Sequence, residues 1–375
     1  MKIVFTGGGT LGHIYPALAL YDYIKERDKT IDFYWIGTNR ENERIVVEKN
    51  GIRFFSISSG KLRRYFSFKN LVDVFKVIIG YFQAKRIIKK IKPDLLFSKG
   101  GYVSVAVVYA AKRLNIKIVT HESDISLGLA TKLNLRVANV IFKGFKLSET
   151  EQQDIRFVYS GNPLRSSMIY FKDIDLSFYE KRLVEEADIQ YGDCVLKVKR
   201  KIDETFKKDK PFILVVGGSL GSLEINELIF KHLDKLVEKY NIYHQMGNQT
   251  YKKIEKDCYI GVKQIGEELG YLYKKADLII SRCGANTLNE EIFFRKNILA
   301  IPLKNNASRG EQVLNAKYFK KLNMLEVYEK NMNLIDTVKN LLNNNVIEQR
   351  NKAFNSFNYI DANETIYLKI KELMK

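Results

Sequence analysis

The sequence predicts an α/β protein of two similar halves, each built on a doubly wound parallel sheet, and three observations predict it. The first is the opening, KIVFTGGGTLGHIYPALAL (Lys2 to Leu20), in which a short apolar strand, Ile3 to Phe5, meets a glycine-rich turn that runs into a helix. The second is PFILVVGGSLGSLEINEL (Pro211 to Leu228), which repeats that pattern, Ser219-Leu220-Gly221 standing for Thr10-Leu11-Gly12. The third is a further pair in the same order, LLFSKGGYVSVAVVYAAKRLNIKIV (Leu95 to Val119) and LIISRCGANTLNEEIFFRKNILAIP (Leu278 to Pro302). Two signals recurring in register imply two related halves.

The first turn, Gly7 to Gly12, has the chemistry of a phosphate cradle. Glycines let backbone N–H groups approach an anion, and the N-terminus of the following helix, with Pro16 in its first turn, adds partial positive charge. His13, the only histidine of the first hundred residues, sits in that crook.

The spacing then predicts a helix from Tyr15 to Arg27, a strand from Phe33 to Ile36, a helix from Glu41 to Lys49 and a strand from Arg53 to Ile57. Such alternation gives a parallel sheet with ligands beyond the carboxyl ends of its strands. The second strand ends Ile36-Gly37-Thr38-Asn39, without the acidic residue that would bind ribose hydroxyls. Although Gly7, Gly9 and Gly12 carry the GxGxxG spacing, this missing acidic residue argues against a nicotinamide enzyme.

The stretch from Gly60 to Asp94 is unusual for this half: the interval from Thr10 to Ser98 is 26 residues longer than that from Ser219 to Ser281. Leu71, Val74, Phe75, Ile78 and Phe82 share a helical face, among Lys61, Arg63, Arg64, Lys69, Lys76, Lys85, Arg86, Lys89 and Lys90. A basic helix with an aromatic face can lie in a membrane interface. For Leu71 to Phe82 the plainer expectation is packing on the sheet. Arg63, Arg64 and Phe66, ahead of the helix, are the expected membrane contacts.

A strand from Ile116 to Thr120 leads into HESDISLGLATKL, so His121, Glu122 and Asp124 are expected just after its end, either lining a ligand or capping a loop. GNPLR (Gly161 to Arg165), after a strand from Phe157 to Tyr159, is the candidate linker. Ser166 to Lys210 is charge-rich and helical in pattern, with no role legible. Ile360, Ile366, Ile370 and Leu373 mark a closing helix. The expected domains are 1–163, 164–355 and a terminal helix, 356–375.

Composition narrows the classes. At 375 residues, 46% hydrophobic and 28% charged, the chain suits two globular domains. No run approaches the ~18 apolar residues of a membrane span, and the opening strand leaves no room for a signal peptide, so a cytoplasmic protein is expected. Three scattered cysteines and four histidines offer neither a disulfide framework nor a metal site. The net charge of +19 has two readings, an anionic partner or a genome-wide bias behind a chain rich in Lys, Asn, Ile, Tyr and Phe. No RRM, KH or helix-turn-helix pattern supports nucleic-acid binding.

GGGTLGH (7–13), SSGKLRRYF (58–66), FSKGGYVS (97–104), HESD (121–124), GNPLR (161–165), GGSLGS (217–222), SRCGAN (281–286) and ASRGEQVLNA (307–316) together resemble the MurG family, most closely its Gram-positive variants. The match is colinear over both halves and leaves out mainly Phe171 to Lys197. The resemblance implies a GT-B glycosyltransferase fold, two Rossmann-like domains with parallel sheets facing a central cleft, and a C-terminal helix returning to the first domain. It implies transfer of GlcNAc from UDP-GlcNAc to the MurNAc C4 hydroxyl of an undecaprenyl-pyrophosphoryl-MurNAc-pentapeptide acceptor, lipid I, at the cytoplasmic face of the cell membrane, with no cofactor or metal.

Residue by residue, it makes His13 the general base and Thr10, Leu11 and Gly12 donor contacts of the first loop. Arg165 lies near the nucleotide, Ser219 on the donor diphosphate, and Gly266 joins the donor set. Ala285, Asn286, Thr287, Leu288, Asn289 and Glu290 form the donor-binding run, with Glu290 on the ribose hydroxyls, while Gln312 and Asn315 read the sugar. Glu122 and Asp124 fall on the acceptor side. Leu11 replaces a usual glycine and Asp124 a frequent asparagine, so acceptor identity is less fixed than donor identity.

An imidazole titrating near neutrality suits proton removal, and helix N-termini with Arg165 can take the charge of a leaving diphosphate. The transition state resembles an oxocarbenium ion. Two rivals share the fold: a transferase for another polyprenyl or glycolipid acceptor, and a non-catalytic membrane-bound binding protein with Leu11 as its signature. Retention of His13, Ser219, Glu290 and Gln312 speaks against the second.

Overall fold

A computed structural model describes residues 1–60, 68–185, 189–218, 221–303 and 310–375. The chain divides into two compact units, Met1–Arg165 with Ile360–Lys375, and Ser166–Tyr359.

The first unit holds seven strands, β1 (Lys2–Thr6), β2 (Asp32–Gly37), β3 (Arg53–Ser56), β4 (Leu95–Ser98), β5 (Lys117–Glu122), β6 (Val140–Lys143) and β7 (Phe157–Tyr159), all parallel in the order 3-2-1-4-5-6-7. Helices α1 (Tyr15–Arg27), α2 (Glu41–Lys49), α3 (Phe68–Ile91), α4 (Tyr102–Arg113), α5 (Leu129–Asn134) and α6 (Glu149–Gln152) supply the crossovers. Strands covered on both faces read as continuous apolar runs, which is why Ile3, Val4 and Phe5 are all fully buried. One face packs Phe5, Phe33, Trp35 and Phe97 against α1, and the other packs Val4, Ile36 and Leu96 against α3 and α4.

The second unit begins with α7 (Ser166–Asp173), α8 (Leu176–Glu185) and α9 (Gly192–Thr205). Six parallel strands follow, β8 (Phe212–Val216), β9 (Asn241–Gln245), β10 (Tyr259–Val262), β11 (Leu278–Ser281), β12 (Asn297–Ala300) and β13 (Glu326–Val327), in the order 10-9-8-11-12-13. This is the first sheet's order over again, one strand shorter. Its helices are α10 (Leu223–Lys239), α11 (Leu269–Lys275), α12 (Ala285–Phe293), α13 (Glu311–Lys321), α14 (Leu334–Leu341) and α15 (Asn344–Ser356). The last helix, α16 (Ala362–Met374), belongs to the first unit: Asn363 Nδ2 donates to the Leu164 carbonyl at 2.9 Å and Tyr367 meets Tyr23 of α1 edge-on.

Two expectations change. His121 and Glu122 do not follow β5 but form its last two residues, paired in register with Phe142 and Lys143. The apolar face of α3 does not pack on the sheet. Val74, Phe75, Ile78 and Phe82 are exposed, Phe75 and Phe82 by 60% and 61%, while the buried stripe runs through Gly80, Ala84, Ile88 and Ile91. Counting apolar residues cannot tell which of two stripes is smooth enough to seat on α4 and on the backbone at Ser58, and the side with small residues wins. The side chain of Leu71 lies outside the described residues.

The charge-rich stretch after the linker packs through aromatics. Phe171 stacks edgewise on Tyr179 and Tyr271, and Glu180 accepts from the Tyr271 hydroxyl and from Lys275 Nζ, tying α8 to α11.

Candidate active site

In the first unit β1 ends at Thr6 and the chain turns through three glycines, Thr10 and a single 3-10 turn, Leu11–His13, into α1. Gly9 has φ +92°, and a Cβ there would lie 2.6 Å from the Tyr102 ring, so only glycine fits. Glu43 of α2, 1% exposed, holds this turn from below: its Oε1 accepts from Gly9 N–H at 2.7 Å and its Oε2 from the Thr38 hydroxyl at 2.6 Å. Arg40 completes the clamp by donating to the Gly9 carbonyl at 2.7 Å. His13 Nδ1 pairs with the Thr10 hydroxyl at 2.9 Å, which sets the ring's orientation. Leu11 is half-buried and packs on the apolar core, so its bulk turns inward.

The β4 and β5 ends add buried charge. Lys99, 3% exposed, donates from Nζ to the Ser123 hydroxyl, and burial lowers its pKa to about 8 against the pull of Glu122 and Asp124. Glu122 caps the loop before α5, accepting from Gly128 N–H at 2.9 Å, from the Thr131 hydroxyl at 2.6 Å and from Asp124 N–H at 3.3 Å. His121 is fully buried, its Nε2 pairs with the Gly161 carbonyl at 2.9 Å, and desolvation with Lys99 nearby keeps its pKa well below the usual imidazole value. Of the two readings left open for this pair, loop capping is the one these bonds describe. Asp124 is half-buried, and its carbonyl and that of Ile125 accept from Lys143 Nζ. Arg165, last residue of this part of the unit, lies over the Tyr15 ring at 5.9 Å.

The second glycine turn follows β8. Gln245 donates to the Gly218 carbonyl at 3.0 Å, Gly221 N–H closes on the same oxygen, and the Ser222 hydroxyl caps α10. Asn226 of α10 donates to the Met246 carbonyl and accepts from the network around His244, whose pKa burial lowers to about 3, so that imidazole is neutral. Gly266 is exposed on the loop between β10 and α11. At the β11 end, α12 divides the expected donor run by face: Ala285, Leu288 and Asn289 are buried, while Asn286, Thr287 and Glu290 are half-exposed. Glu291, the next residue, is fully buried, and desolvation raises its carboxyl pKa far above the usual range. Glu290 is therefore the more accessible carboxylate of this helix.

Gln312 and Asn315 of α13 bind protein backbone. Gln312 Oε1 accepts from Leu303 N–H at 2.9 Å, and Asn315, fully buried, donates to the Cys283 carbonyl at 3.2 Å. They tie the β12 and β11 loops to α13. Ser219, Arg63, Arg64 and Phe66, and residues 307–309, lie outside the described residues. Among those described, no group of three or more His, Cys, Asp or Glu could hold a metal.

The model of the glycosyltransferase family 28 N-terminal domain matches residues 3–143, and that of the family's C-terminal domain matches 212–366. A Clostridium botulinum (strain Langeland) protein named UDP-N-acetylglucosamine--N-acetylmuramyl-(pentapeptide) pyrophosphoryl-undecaprenol N-acetylglucosamine transferase is 42% identical over 322 residues, 85% of this chain and 84% of its own. The chain belongs to the MurG family. A Bacillus cereus member with the same name, numbered 2, is 37% identical over 99% of both chains. The crystal structure of Acinetobacter baumannii MurG superposes with a TM-score of 0.69 at 24% identity, covering 99% of each chain, and so shares the GT-B fold.

Three further residues near the strand ends were not singled out from sequence. Glu43 reads as an ordinary helix carboxylate, and only burial beneath Gly9 marks it. Lys99 and Arg282 stand inside the quoted motifs FSKGGYVS and SRCGAN, where a basic residue within two positions of a glycine was the available signal. Desolvation lowers the Arg282 pKa, while Cys283, Glu224 and Glu311 oppose it.

Proposed function

We infer that the two glycine turns divide the family's reaction between them, with His13 on the acceptor side and Glu290 on the donor. The protein is a UDP-GlcNAc-dependent N-acetylglucosaminyltransferase that converts lipid I to lipid II in peptidoglycan synthesis. The single observation that carries this is the match to family members over the whole length of both chains.

The MurNAc C4 hydroxyl attacks the anomeric carbon of GlcNAc, UDP leaves, and the configuration inverts to a β-linkage. His13, oriented by Thr10, takes the hydroxyl proton. The N-termini of α10 and α12, with Ser219, Arg165 and Arg282, stabilise the charge on the diphosphate, and no metal is required. Glu290 grips the ribose, Asn286 and Thr287 lie on the same outward side of α12, and Gln312 and Asn315 shape the sugar end by fixing its loops.

Docking at the cytoplasmic face of the membrane belongs to α3. Val72, Phe75, Ile79 and Phe82 stand outward, with Arg86, Lys89 and Lys90 exposed further along, and each cation near anionic lipid is worth about 1 kcal/mol. No described helix is long and apolar enough to span a bilayer. The double variant Phe75→Ser/Phe82→Ser is expected to leave anionic vesicles while retaining transfer to a short-chain soluble acceptor. Unchanged vesicle binding would place docking elsewhere.

The deciding assay uses labelled UDP-GlcNAc, a short-chain lipid I analogue and UDP-GalNAc as control. Transfer from UDP-GlcNAc alone is expected. UDP binding without transfer to this acceptor would overturn the reading.

A further inference from the structure

A cavity of about 460 Å³ opens between the end of β3 and α3, lined by Asn39, Ser56, Ile57, Ser58, Ser59, Lys76 and Gln83. We propose that it binds the peptide of the lipid-linked acceptor, with the Lys76 ammonium taking a peptide carboxylate. The inference rests on the acceptor assigned above and adds where its peptide goes.

Position is the first argument. Asn39 follows β2 and Ser56 ends β3, so the cavity lies beyond the carboxyl ends of the strands, where parallel sheets bind ligands. Asn39 stands between Thr38 and Arg40, which meet Glu43 and the Gly9 carbonyl, so one loop both walls the cavity and steadies the glycine turn.

The wall opposite is built rather than incidental. Ser58 N–H donates to Gln83 Oε1 at 2.7 Å. A Cβ on Gly80 would lie 2.0 Å from the Ser58 carbonyl oxygen, and one on Gly60 would lie 2.1 Å from the Asp73 carbonyl oxygen. Residues 57–60 are thus seated directly on α3, and the rim keeps its shape without a ligand.

Chemistry selects the occupant. Among the described lining residues, three hydroxyls and two side-chain amides match the alternating donors and acceptors of a peptide backbone, and Ile57 is the one apolar side chain. Among the described residues, a polyprenyl chain finds little apolar surface here and a nucleotide no aromatic wall for its base. Lys76 Nζ stands 3.9 Å from Asp73, too long for a hydrogen bond, and its side chain is half-exposed. The same helix turns Phe75, Ile79 and Phe82 outward, so a headgroup delivered from a bilayer arrives beside the cavity.

The test compares two short-chain soluble acceptors, one carrying the pentapeptide and one whose lactyl carboxyl is amidated and carries none. Lys76→Met should raise KM for the pentapeptide acceptor roughly tenfold, the loss of one charge-assisted hydrogen bond, and Lys76→Arg should restore most of it. The loss should be confined to that acceptor, with KM for UDP-GlcNAc unmoved and binding to anionic vesicles weakened by no more than the share of one cation. Equal losses with both acceptors, no loss with either, or release from vesicles would overturn the assignment. A soluble muramoyl pentapeptide, titrated by calorimetry, gives a readout independent of transfer: wild type should bind it and Lys76→Met should bind it more weakly. Failure of the wild type to transfer to either acceptor would count against the proposed function, while the titration would still decide the cavity.

Discussion

The two glycine turns share one scaffold, a buried parallel strand running into a helix, yet they are held by opposite chemistry. The first is gripped by charge: Glu43 and Arg40 clamp both sides of Gly9, and Lys99 and Glu122 lie buried at the neighbouring strand ends. The second is held by neutral groups: Gln245 on the Gly218 carbonyl, the Ser222 cap, and Asn226 with a neutral His244 behind them. The difference teaches that a repeated motif fixes where a ligand sits and leaves the surrounding groups to decide what is done with it. A turn carrying the proton acceptor needs a side chain held in one orientation. A turn cradling a diphosphate needs backbone N–H groups and little competing anionic charge.

The sharpest break in that comparison is His13→Ala, expected to lower kcat roughly 10²- to 10⁴-fold while UDP affinity holds. Equal losses in turnover and UDP binding, read by steady-state kinetics and calorimetry, would remove the base from the first turn. Glu43→Ala should come next, lowering kcat roughly 10- to 100-fold by freeing Gly9 and Thr38, with Glu43→Gln intermediate and UDP affinity again unmoved. If Glu43→Ala weakened UDP binding as much as turnover, the clamp would not be specific to the acceptor side. Glu290→Ala should do the reverse, raising KM for UDP-GlcNAc about tenfold with a small change in kcat.

The smallest effect is on stability. Lys99 holds its proton to near pH 10.5 when unfolded but only to about 8 when folded, so the unfolded chain binds more protons between those values. Folding stability therefore rises as pH passes from about 8 towards 10, by about 1.4 kcal/mol per unit of pKa difference at most. Lys172 and Lys296 are lowered to about 8 as well, so the share due to Lys99 is the part of the rise that Lys99→Met removes. Urea denaturation at pH 7.5 and 9.5 measures it, and an unaltered rise in the variant would show that Lys99 is not buried as a cation.

Much of the site was legible because the local rules are strong. The Gly7–Gly12 turn, α1 and α2 lie where spacing puts them, and the echo of Leu95–Val119 in Leu278–Pro302 gives β4-α4-β5 and β11-α12-β12. Function was legible from eight colinear motifs. Harder to see was which face of a helix meets its neighbour: α3 turned Phe75 and Phe82 outward because Gly80 and Ala84 allow closer packing. Gln312 and Asn315 likewise bind backbone, a fact no spacing rule contains.

By itself the sequence determined the two related halves, their parallel sheets and the family, since strand period, glycine turns and motif order are properties of neighbours along the chain. The tertiary structure alone decided that Glu43 lies under Gly9, 34 residues away, that Lys99 is buried as a cation, and that Ser58 and Gln83 wall a polar cavity. Those facts depend on burial and on hydrogen bonds between distant segments, and desolvation acts on a side chain only after the chain has closed around it.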